Sequence, residues 1–357
     1  MAIDESLIRD SDLRERLEDA RAKRFAFDTM AKVLLSEQQK RDEAAAAALT
    51  RKAQLDAMPR EQRRRVLTRD ALKSAPPVLA DIRHIHSVLA ICGLPYERLP
   101  IDVRDYERKQ GNMAIDVTAG FLRDPDGNKI LQPLPFGPKA RLILMHLCSE
   151  AIRQKSATIE IADSFTAFVR DMGFSDSGGK KGPLTAFKEQ LNALAACTIR
   201  VSAWNGERSR TKTFVPLEEV DIWLSDNPAQ RSLWPSTVTF SQAMFESLQR
   251  HALPVNAQVV KALAGSARKL DLYFWLGWRI FNIDAPLQLG WGSLSAQFGQ
   301  GFARDRKFRE KFAEEVRHIQ EVFPKLPLKL DENGLRIEPA DPAALALPTP
   351  RPASKRG

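Results

Sequence analysis

The stretch ADSFTAFVRDMGFSDSGGKKGPLTAFKEQLNALAA, residues 162–196, contains two amphipathic patterns separated by a segment rich in glycine and lysine. The first pattern repeats apolar side chains at helical spacing, at Phe165, Phe168, Val169 and Met172. The second pattern does so at Leu184, Phe187, Leu191 and Leu194. Asp163 or Ser164 can cap the first helix, and Gly173 suits the left-handed residue that ends it. The stretch therefore predicts a helix-turn-helix.

The segment between the two patterns also resembles a phosphate-binding loop, and its spacing tests that reading. A P-loop needs G-x-x-x-x-G-K-[ST], because the lysine reaches the phosphates and the hydroxyl holds magnesium. Here Lys181 follows Gly179-Lys180, and Phe174 stands where the first glycine is required. The segment also follows a helix, whereas a P-loop follows a buried strand. We therefore expect no nucleotide, and no other cofactor, at this position.

The same segment fits the turn before a DNA-recognition helix. Glycines allow the backbone to approach a phosphodiester, and Pro183 suits the first turn of the next helix. Lys180 and Lys181 are predicted to neutralise phosphates. The positions predicted to face a DNA groove are Thr185, Lys188 and Asn192. A solvated helix face beside a flexible loop remains the alternative.

The flanking sequence extends this motif into a winged helix. A helix is predicted over residues 139–154, a strand at ATIEIA (157–162), and a β-hairpin at 198–217 around NGE (205–207). The order helix, strand, helix, turn, helix, hairpin is that of winged-helix proteins. The hairpin carries basic residues that we expect to follow the DNA backbone or minor groove: Arg200, Arg208, Arg210 and Lys212.

The same order of elements is predicted a second time. A helix at 266–281, a strand at 286–291 and a short helix at 292–299, with Ser293 as a possible cap, precede a long helix at 302–323. A hairpin at 326–339 closes the unit. Basic residues crowd the N-terminal half of the long helix, the half that normally enters the major groove: Arg304, Arg306, Lys307, Arg309 and Lys311. This half is the best candidate for reading bases.

The rest of the chain divides around these two units. Residues 1–74 predict a charged helical arm, with an apolar seam at Leu13, Leu17, Ala20, Phe27 and Leu34. A solvated arm and a partner-docking or coiled-coil role both remain open for it. A helix is predicted from Val78 to about Gly93, and a hairpin over 112–134 around DPDG.

The expected fold class is α+β, with tandem winged-helix (helix-turn-helix) domains preceded by a helical N-terminal arm. The expected domains are the arm at 1–74, a first winged-helix domain at 75–222, a second at 223–342, and a disordered basic tail at 343–357.

Composition indicates the chemical class of the partner and the redox state of the compartment. The formal net charge of +9 points to a polyanion, either nucleic acid or an anionic membrane surface, although a merely basic protein is the alternative. The scattered cysteines Cys92, Cys148 and Cys197 argue against a disulfide framework or a zinc site and favour a reducing cytoplasm. The sequence has no signal peptide and no apolar run long enough to span a membrane, so no membrane role is expected.

No catalytic or metal site is expected. His84 and His86 are two residues apart, and on the predicted helix they would point in different directions. A primase- or relaxase-like enzyme would need clustered carboxylates or histidines, with a nucleophilic tyrosine among them in the relaxase case. None of the three tyrosines of the sequence has such neighbours; they are Tyr96, Tyr106 and Tyr273. We therefore expect the protein not to be an enzyme.

Several separated segments, within roughly residues 90–340, resemble the plasmid-encoded RepA replication initiators. They are LPYERLP (94–100), LPFGPKARLILMHLCSEAI (134–152), IADSFTAFVRDMGF with the glycines that follow it (161–182), LDLYFWLGWRI (270–280) and WGSLSAQFGQGF with the later KF (291–308). The resemblance implies a sequence-specific initiator that binds direct repeats (iterons) at a plasmid origin and opens AT-rich DNA. It also implies recruitment of the host initiator and replicative helicase.

For such a protein the resemblance further implies monomers in initiation and homodimers in autorepression or copy-number control. It supplies no catalytic motif. The expected setting is the bacterial cytoplasm, with double-stranded origin DNA as the partner. A transcriptional (auto)repressor with tandem winged helices is the alternative function, because the same two units could occlude a promoter.

Overall fold

The computed structural model describes residues 4–23, 27–74, 78–124, 126–174, 183–220, 237–280 and 282–347. Its helices and antiparallel sheets make the fold class α+β, as predicted. The chain divides into two compact units, Met1–Arg63 and Arg64–Gly357. Lys180 and Lys181 lie outside the described residues, as does the boundary expected between 222 and 223. The two winged-helix domains therefore stay a prediction.

The first unit is a pair of helices with a small core of its own. Helix α1 (Ser11–Lys23) packs against α2 (Phe27–Asp56), and α3 (Arg60–Ser74) contains the boundary between the units. The core is formed by Ile8, Leu13, Leu17, Ala31 and Leu34. Buried Gln38 accepts hydrogen bonds from the backbone N–H groups of Arg9 and Asp10, at 3.0 and 2.9 Å. The predicted helical arm therefore contains two helices, α1 and α2, that pack against each other.

The second unit begins with elements that surround one long buried helix. They are β1 (Ile82–His86), α4 (Ser87–Ile91), β2 (Asp105–Gln110), β3 (Met113–Thr118), β4 (Phe121–Arg123), β5 (Lys129–Leu131), α5 (Gly137–Gln154), β6 (Thr158–Glu160), α6 (Ala162–Asp171), α7 (Pro183–Ala196), β7 (Thr198–Trp204), β8 (Ser209–Phe214) and β9 (Leu217–Val220). Strands β2, β3, β7 and β8 form a four-stranded antiparallel sheet in that order. Helix α5 is buried along most of its length and packs against β1 and α7.

The remaining elements repeat the order of helix, strand, two helices and hairpin. They are β10 (Thr237–Phe240), α8 (Gln242–His251), β11 (Ala252–Asn256), α9 (Ala257–Leu263), α10 (Ala267–Ile280), β12 (Leu287–Gly290), α11 (Trp291–Phe298), α12 (Asp305–Val322), β13 (Leu328–Asp331) and β14 (Gly334–Ile337). Strand β14 pairs with both β12 and β13. Gly334 has a φ of 126°, and a Cβ there would collide with the Leu289 carbonyl, so the close approach of β12 requires glycine.

A single hydrophobic core joins both halves of the second unit. It contains Phe187 and Phe240 together with Tyr273, Trp275 and Phe312, all less than 2% exposed. Phe274, the neighbour of Trp275 in α10, belongs to the same core.

The helix predicted from Val78 to Gly93 is wrong. Residues 82–86 form β1, which pairs antiparallel with β11 from Ile82–Asn256 to His86–Ala252, and only Ser87–Ile91 is helical. The apolar spacing fits a helix, but pairing with a strand far along the chain overrides it. Val78 is 57% exposed. Because residues two apart in a strand share a face, the geometric reason for separating His84 from His86 is wrong as well.

The hairpin predicted over 112–134 is correct only at its tip. Strands β4 and β5 pair around residues 124–128, where Asp124 accepts hydrogen bonds from Asn128. Strand β3 pairs instead with β2 and β7. Two predicted helix starts are also late, since α6 begins at Ala162 and α11 at Trp291, ahead of the predicted caps.

The tail predicted to be disordered from residue 343 is wrong for residues 343–347. Leu345, Ala346 and Leu347 are buried, and the Tyr273 hydroxyl donates to the Leu345 carbonyl at 3.4 Å. Alanine and leucine alternate in the sequence there, whereas residues 348–357 are rich in proline and basic residues. That remainder lies outside the described residues. Among the helices that the structure describes, none combines the length and apolar character needed to cross a bilayer.

Candidate nucleic-acid interface

Helix α7 is placed as the sequence predicts, but one of its three candidate contact residues is not. Leu184, Phe187, Leu191 and Leu194 are buried, Thr185 is exposed, and Lys188 is half-buried. Asn192 is only 7% exposed, so the prediction that it projects outward is wrong. The helix packs on α5, β4 and β9, so more than one of its faces is covered.

The end of helix α6 supports the predicted turn that leads towards α7. Gly173 has a φ of 79°, and its N–H donates to the Arg170 carbonyl at 2.9 Å. This left-handed geometry is the one expected for the residue that ends a helix. Phe174, which follows, packs edge-on against Phe187 of α7 with ring centroids 5.2 Å apart. The two helices are therefore fixed to each other on both sides of the segment 175–182.

The β7–β8 hairpin presents its basic residues on two faces. Cross-strand pairing places Arg210 and Lys212 on one face and Arg200 on the opposite one. Arg200, Arg208 and Arg210 are exposed. Lys212 is half-buried and donates to the Ala243 carbonyl at 3.3 Å, so part of its hydrogen-bonding capacity is used within the fold.

At the tip of this hairpin, the Asn205 side chain accepts hydrogen bonds from the backbone N–H groups of Glu207 and Arg208. Gly206 has a φ of 92°, which suits the turn. The turn is therefore ordered by its own hydrogen bonds, and it holds Arg208 and Arg210 at the end of the hairpin that points away from the core. These two arginines are the exposed cations best placed to meet a phosphate backbone.

Helix α12 brings the five predicted basic residues together at its N-terminal end, but three of them are paired. Arg306 and Lys307 both contact Glu310, at 3.0 and 2.9 Å, and Lys311 contacts Glu314 at 2.8 Å. Arg304 is the N-cap residue and is exposed. The role of Glu310 was missed, although its i+4 and i+3 spacing from the two cations is readable in the sequence.

The carboxylate of Glu310 is held in its charged form. Lys307 and, to a lesser extent, Arg306 lower the pKa of Glu310, and Glu310 in turn raises the pKa of Lys307. Glu310 and Lys307 are therefore both charged at neutral pH. The buried side of the helix carries Phe308, Phe312, Val316 and Ile319.

Arg309 has a different environment from its neighbours. Its guanidinium lies over the indole of Trp291 in α11, with Cζ 5.2 Å from the ring centroid. A surface pocket of about 380 Å³ opens beside this pair, at the N-terminal ends of α11 and α12. Arrangements of this kind fix an arginine side chain without consuming the N–H groups at its edge.

A buried ionic cluster fixes the helix that precedes this site. Asp271 of α10 accepts from Arg141 Nε and Nη2 at 2.5 and 2.8 Å, and from Arg108 Nη1 at 3.1 Å. Arg141 also donates to the Leu94 and Pro95 carbonyls. Arg268, which donates to the Phe298 and Gln300 carbonyls, lies over the Tyr96 ring with Cζ 4.4 Å from the centroid. Sequence reasoning missed this cluster, because its members come from four distant segments.

The histidines of β1 do not build a metal site with their neighbours. His86 is buried, its Nδ1 accepts from Val88 N–H, and its Nε2 lies 3.0 Å from Ser247 Oγ. Burial, with a smaller effect of His251, lowers the pKa of His86 to about 4. Within the described ranges, no three His, Cys, Asp or Glu side chains come close enough to hold a metal ion.

Comparison with known proteins gives a matching family model and similar solved structures. No curated protein matches the chain. A crystal structure of selenomethionine derivatives of domains 2 and 3 of RctB is similar at 13% identity and a TM-score of 0.43, covering 68% of this chain and 87% of that one. A structure of RctB domains 2–3 is similar at 10% identity and a TM-score of 0.42, covering 70% and 94%.

The family comparison concerns the segment that starts before α5 and ends in β12. Residues 134–288 match the family model described as "Plasmid encoded RepA protein". The matched segment includes three of the five stretches on which the sequence resemblance was based, those at 134–152, 161–182 and 270–280. Over residues 134–288 the chain is therefore similar to the plasmid-encoded RepA family, and the resemblance seen in the sequence is confirmed there.

Proposed function

We propose that the protein is a plasmid replication initiator that binds double-stranded DNA sequence-specifically at origin direct repeats. The observation that carries this proposal is the match of residues 134–288 to the plasmid-encoded RepA family. The net charge of +9 suits a polyanionic partner. The protein would act in the bacterial cytoplasm and without a catalytic activity of its own.

We further propose that two winged helices deliver the contacts. The elements α5, β6, α6, α7 and the β7–β8 hairpin follow the same order as α10, β12, α11, α12 and the β13–β14 hairpin. The copies differ in their strand pairing, because β12 joins its hairpin through β14 whereas β6 pairs with β10. The second copy is the closer to the expected arrangement, which favours α12 as the main recognition helix.

In this proposal most of the binding energy comes from phosphate contacts, and specificity comes from the helices. Lys180 and Lys181 would neutralise phosphates ahead of α7, and Arg208 and Arg210 would do so from the β7–β8 hairpin. Helix α12, with Thr185 and Lys188 of α7 in a second groove, would read the bases. Several molecules on tandem repeats would bend or untwist the DNA, and AT-rich steps open at the lowest cost.

The partners in the proposal are those of an initiator. The opened strand would be handed to the host initiator and the replicative helicase, and homodimers would act in autorepression or copy-number control. Helices α1 and α2 form a compact unit with its own core, which suits an element that docks a partner.

A footprinting experiment on the DNA flanking the gene tests the proposal. Full-length protein is expected to protect tandem direct repeats, beside an AT-rich segment that becomes sensitive to permanganate. Equal affinity for the repeats and for random DNA at physiological salt would contradict it. Protection of a single inverted repeat over the promoter, with no opening, would favour the repressor function instead.

A further inference from the structure

We infer that Arg309 and Trp291 form a single recognition device in which Arg309 reads a guanine and Trp291 positions it. The inference rests on the proposed DNA-binding function and adds to it the residue and the base class. It concerns the surface pocket beside α11 and α12, lined by Trp291, Gly292, Ser295, Asp305, Phe308 and Arg309.

The first step is that the basic residues of α12 are not equivalent. Arg306, Lys307 and Lys311 are each held by a carboxylate of the same helix, at 2.8 to 3.0 Å. To contact DNA they must exchange these pairs. Arg309 is exposed, and among the described residues no carboxylate lies within ion-pair distance of it. Arg309 is therefore available without such an exchange.

The second step is that Trp291 cannot turn away from Arg309. The indole meets Phe308 and Phe312 edge-on, with interplanar angles of 87° and 80°. Its Nε1 donates to the Asp331 carbonyl at 3.3 Å. Two rings and one hydrogen bond thus fix the plane of the indole, and the exposed part of its face is where Arg309 lies.

The third step concerns which base suits a guanidinium held in this way. Stacking uses the face of the guanidinium and leaves its N–H groups directed along the edge. In the major groove, a pair of parallel N–H donors matches the O6 and N7 acceptors of guanine. The adjoining pocket of about 380 Å³ provides room for the edge of a base next to that donor pair. Preorganisation of the side chain lowers the entropy lost on binding.

The test compares Arg309→Lys with wild type on the protected repeat and on random DNA. The substitution keeps the charge and replaces the planar, preorganised donor pair by a flexible ammonium group, so affinity for the repeat should fall about 5- to 150-fold. Affinity for random DNA should change less than about twofold, because phosphate contacts depend on charge. Arg317→Lys, an exposed arginine in the C-terminal half of α12, is the matched control and should leave both affinities unchanged.

The guanine is identified by replacing each guanine of the repeat in turn with 7-deazaguanine, which lacks the N7 acceptor. One replacement should weaken wild-type binding and leave Arg309→Lys unaffected, because the shared contact is already lost. If every replacement weakens both proteins equally, Arg309 reads no guanine and the inference is wrong.

The role of Trp291 is tested by Trp291→Leu and Trp291→Phe. Leucine removes the aromatic face and should reduce the preference for the repeat over random DNA, whereas phenylalanine should restore most of it. A preference that is equally reduced by both substitutions would make Trp291 a packing residue and overturn its positioning role. Should wild type itself show no preference for the repeat, the proposed function fails rather than this inference.

Discussion

Asp271 satisfies two arginines at once inside the second unit. Its carboxylate and the side chains of Arg108 and Arg141 are each about 5% exposed or less. A buried charge is stable only when it is paired and hydrogen-bonded, so removing one carboxylate leaves two guanidinium groups without compensation. At the scale of single residues, this is the most consequential side chain of the α10 segment.

We predict that Asp271→Asn lowers the free energy of unfolding by about 3–5 kcal/mol, because it leaves buried cations unpaired. Urea unfolding at neutral pH measures the loss. Asp102→Asn, at an exposed carboxylate, is the control and should change the free energy by less than about 0.5 kcal/mol. If Asp271→Asn loses no more stability than Asp102→Asn does, ion pairing does not stabilise this cluster.

Asn192 gives a second prediction at the residue scale. Its side chain is 7% exposed, so it is shielded from any partner that approaches α7. We predict that Asn192→Ala leaves DNA affinity within about twofold of wild type, as expected for a side chain that makes no interface contact. Thr185→Ala, on the exposed side of the same helix, is the comparison. A selective loss of affinity for the repeat in Asn192→Ala would contradict the buried position.

At the scale of elements, helix α12 balances its cations with carboxylates of its own. Glu310 neutralises Arg306 and Lys307 in the absence of DNA, and these side chains are exposed on one surface of the helix. The pairs at i+3 and i+4 contribute little to helix stability, since such exposed pairs are worth only a few tenths of a kcal/mol. Their main effect is on the charge that the helix presents to a partner.

We predict that Glu310→Gln tightens binding to DNA of any sequence and steepens its salt dependence by about two units, because two cations become free to contact phosphates. Fluorescence anisotropy across a salt series measures both quantities. Glu97→Gln, at an exposed carboxylate between α4 and β2, serves as the control for net charge. Weaker binding confined to the repeat would instead identify Glu310 as a base contact.

Elements were predictable from the sequence where their signals are local. Helices α5, α7, α10 and α12 carry complete apolar faces, and the β7–β8 and β13–β14 hairpins carry a turn signal between alternating strands. Strand β1 was missed because its partner β11 is remote in sequence. The apolar positions of IRHIH and its neighbours fit a helix equally well.

The residues of the candidate site could be predicted from the sequence, but the contacts between them could not. The clustering of five basic residues on α12 follows from helix periodicity. The stacking of Arg309 on Trp291 depends on how α11 crosses α12, which no local pattern fixes. Similarly, a helical wheel separates Asn192 from the apolar face of α7, but it cannot tell that β4 and β9 cover the helix as well.

At the scale of the whole molecule, buried histidines make the stability of the fold depend on pH. Burial lowers the pKa of both His86 and His146 to about 4, whereas in the unfolded chain each titrates near 6.5. Between these two values the unfolded chain takes up protons that the folded protein does not. Stability is therefore fully present above pH 6.5 and falls as the pH is lowered towards 4.

We predict a loss of about 2 kcal/mol per buried histidine between pH 6.5 and pH 5. Urea unfolding at pH 7.5, 6 and 5 measures it. Glu315, whose pKa is raised by burial, acts in the opposite direction. The pH dependence of wild type is therefore compared with that of His86→Gln, which keeps a donor for Ser247. In this variant one proton fewer should be taken up on unfolding. An unchanged dependence in that variant would mean that His86 is protonated in the folded protein.

The pairing of β1 with β11 has a consequence for the synthesis of the chain. Ile82 cannot reach Asn256 until that residue has left the ribosome, so the ribbon that they share forms late in translation. Nascent chains that end before β11 leave the edge of β1 unpaired, and an unpaired edge can pair with other chains. The two halves of residues 64–357 consequently cannot be exchanged independently between related proteins, because each exchange replaces only one side of this ribbon.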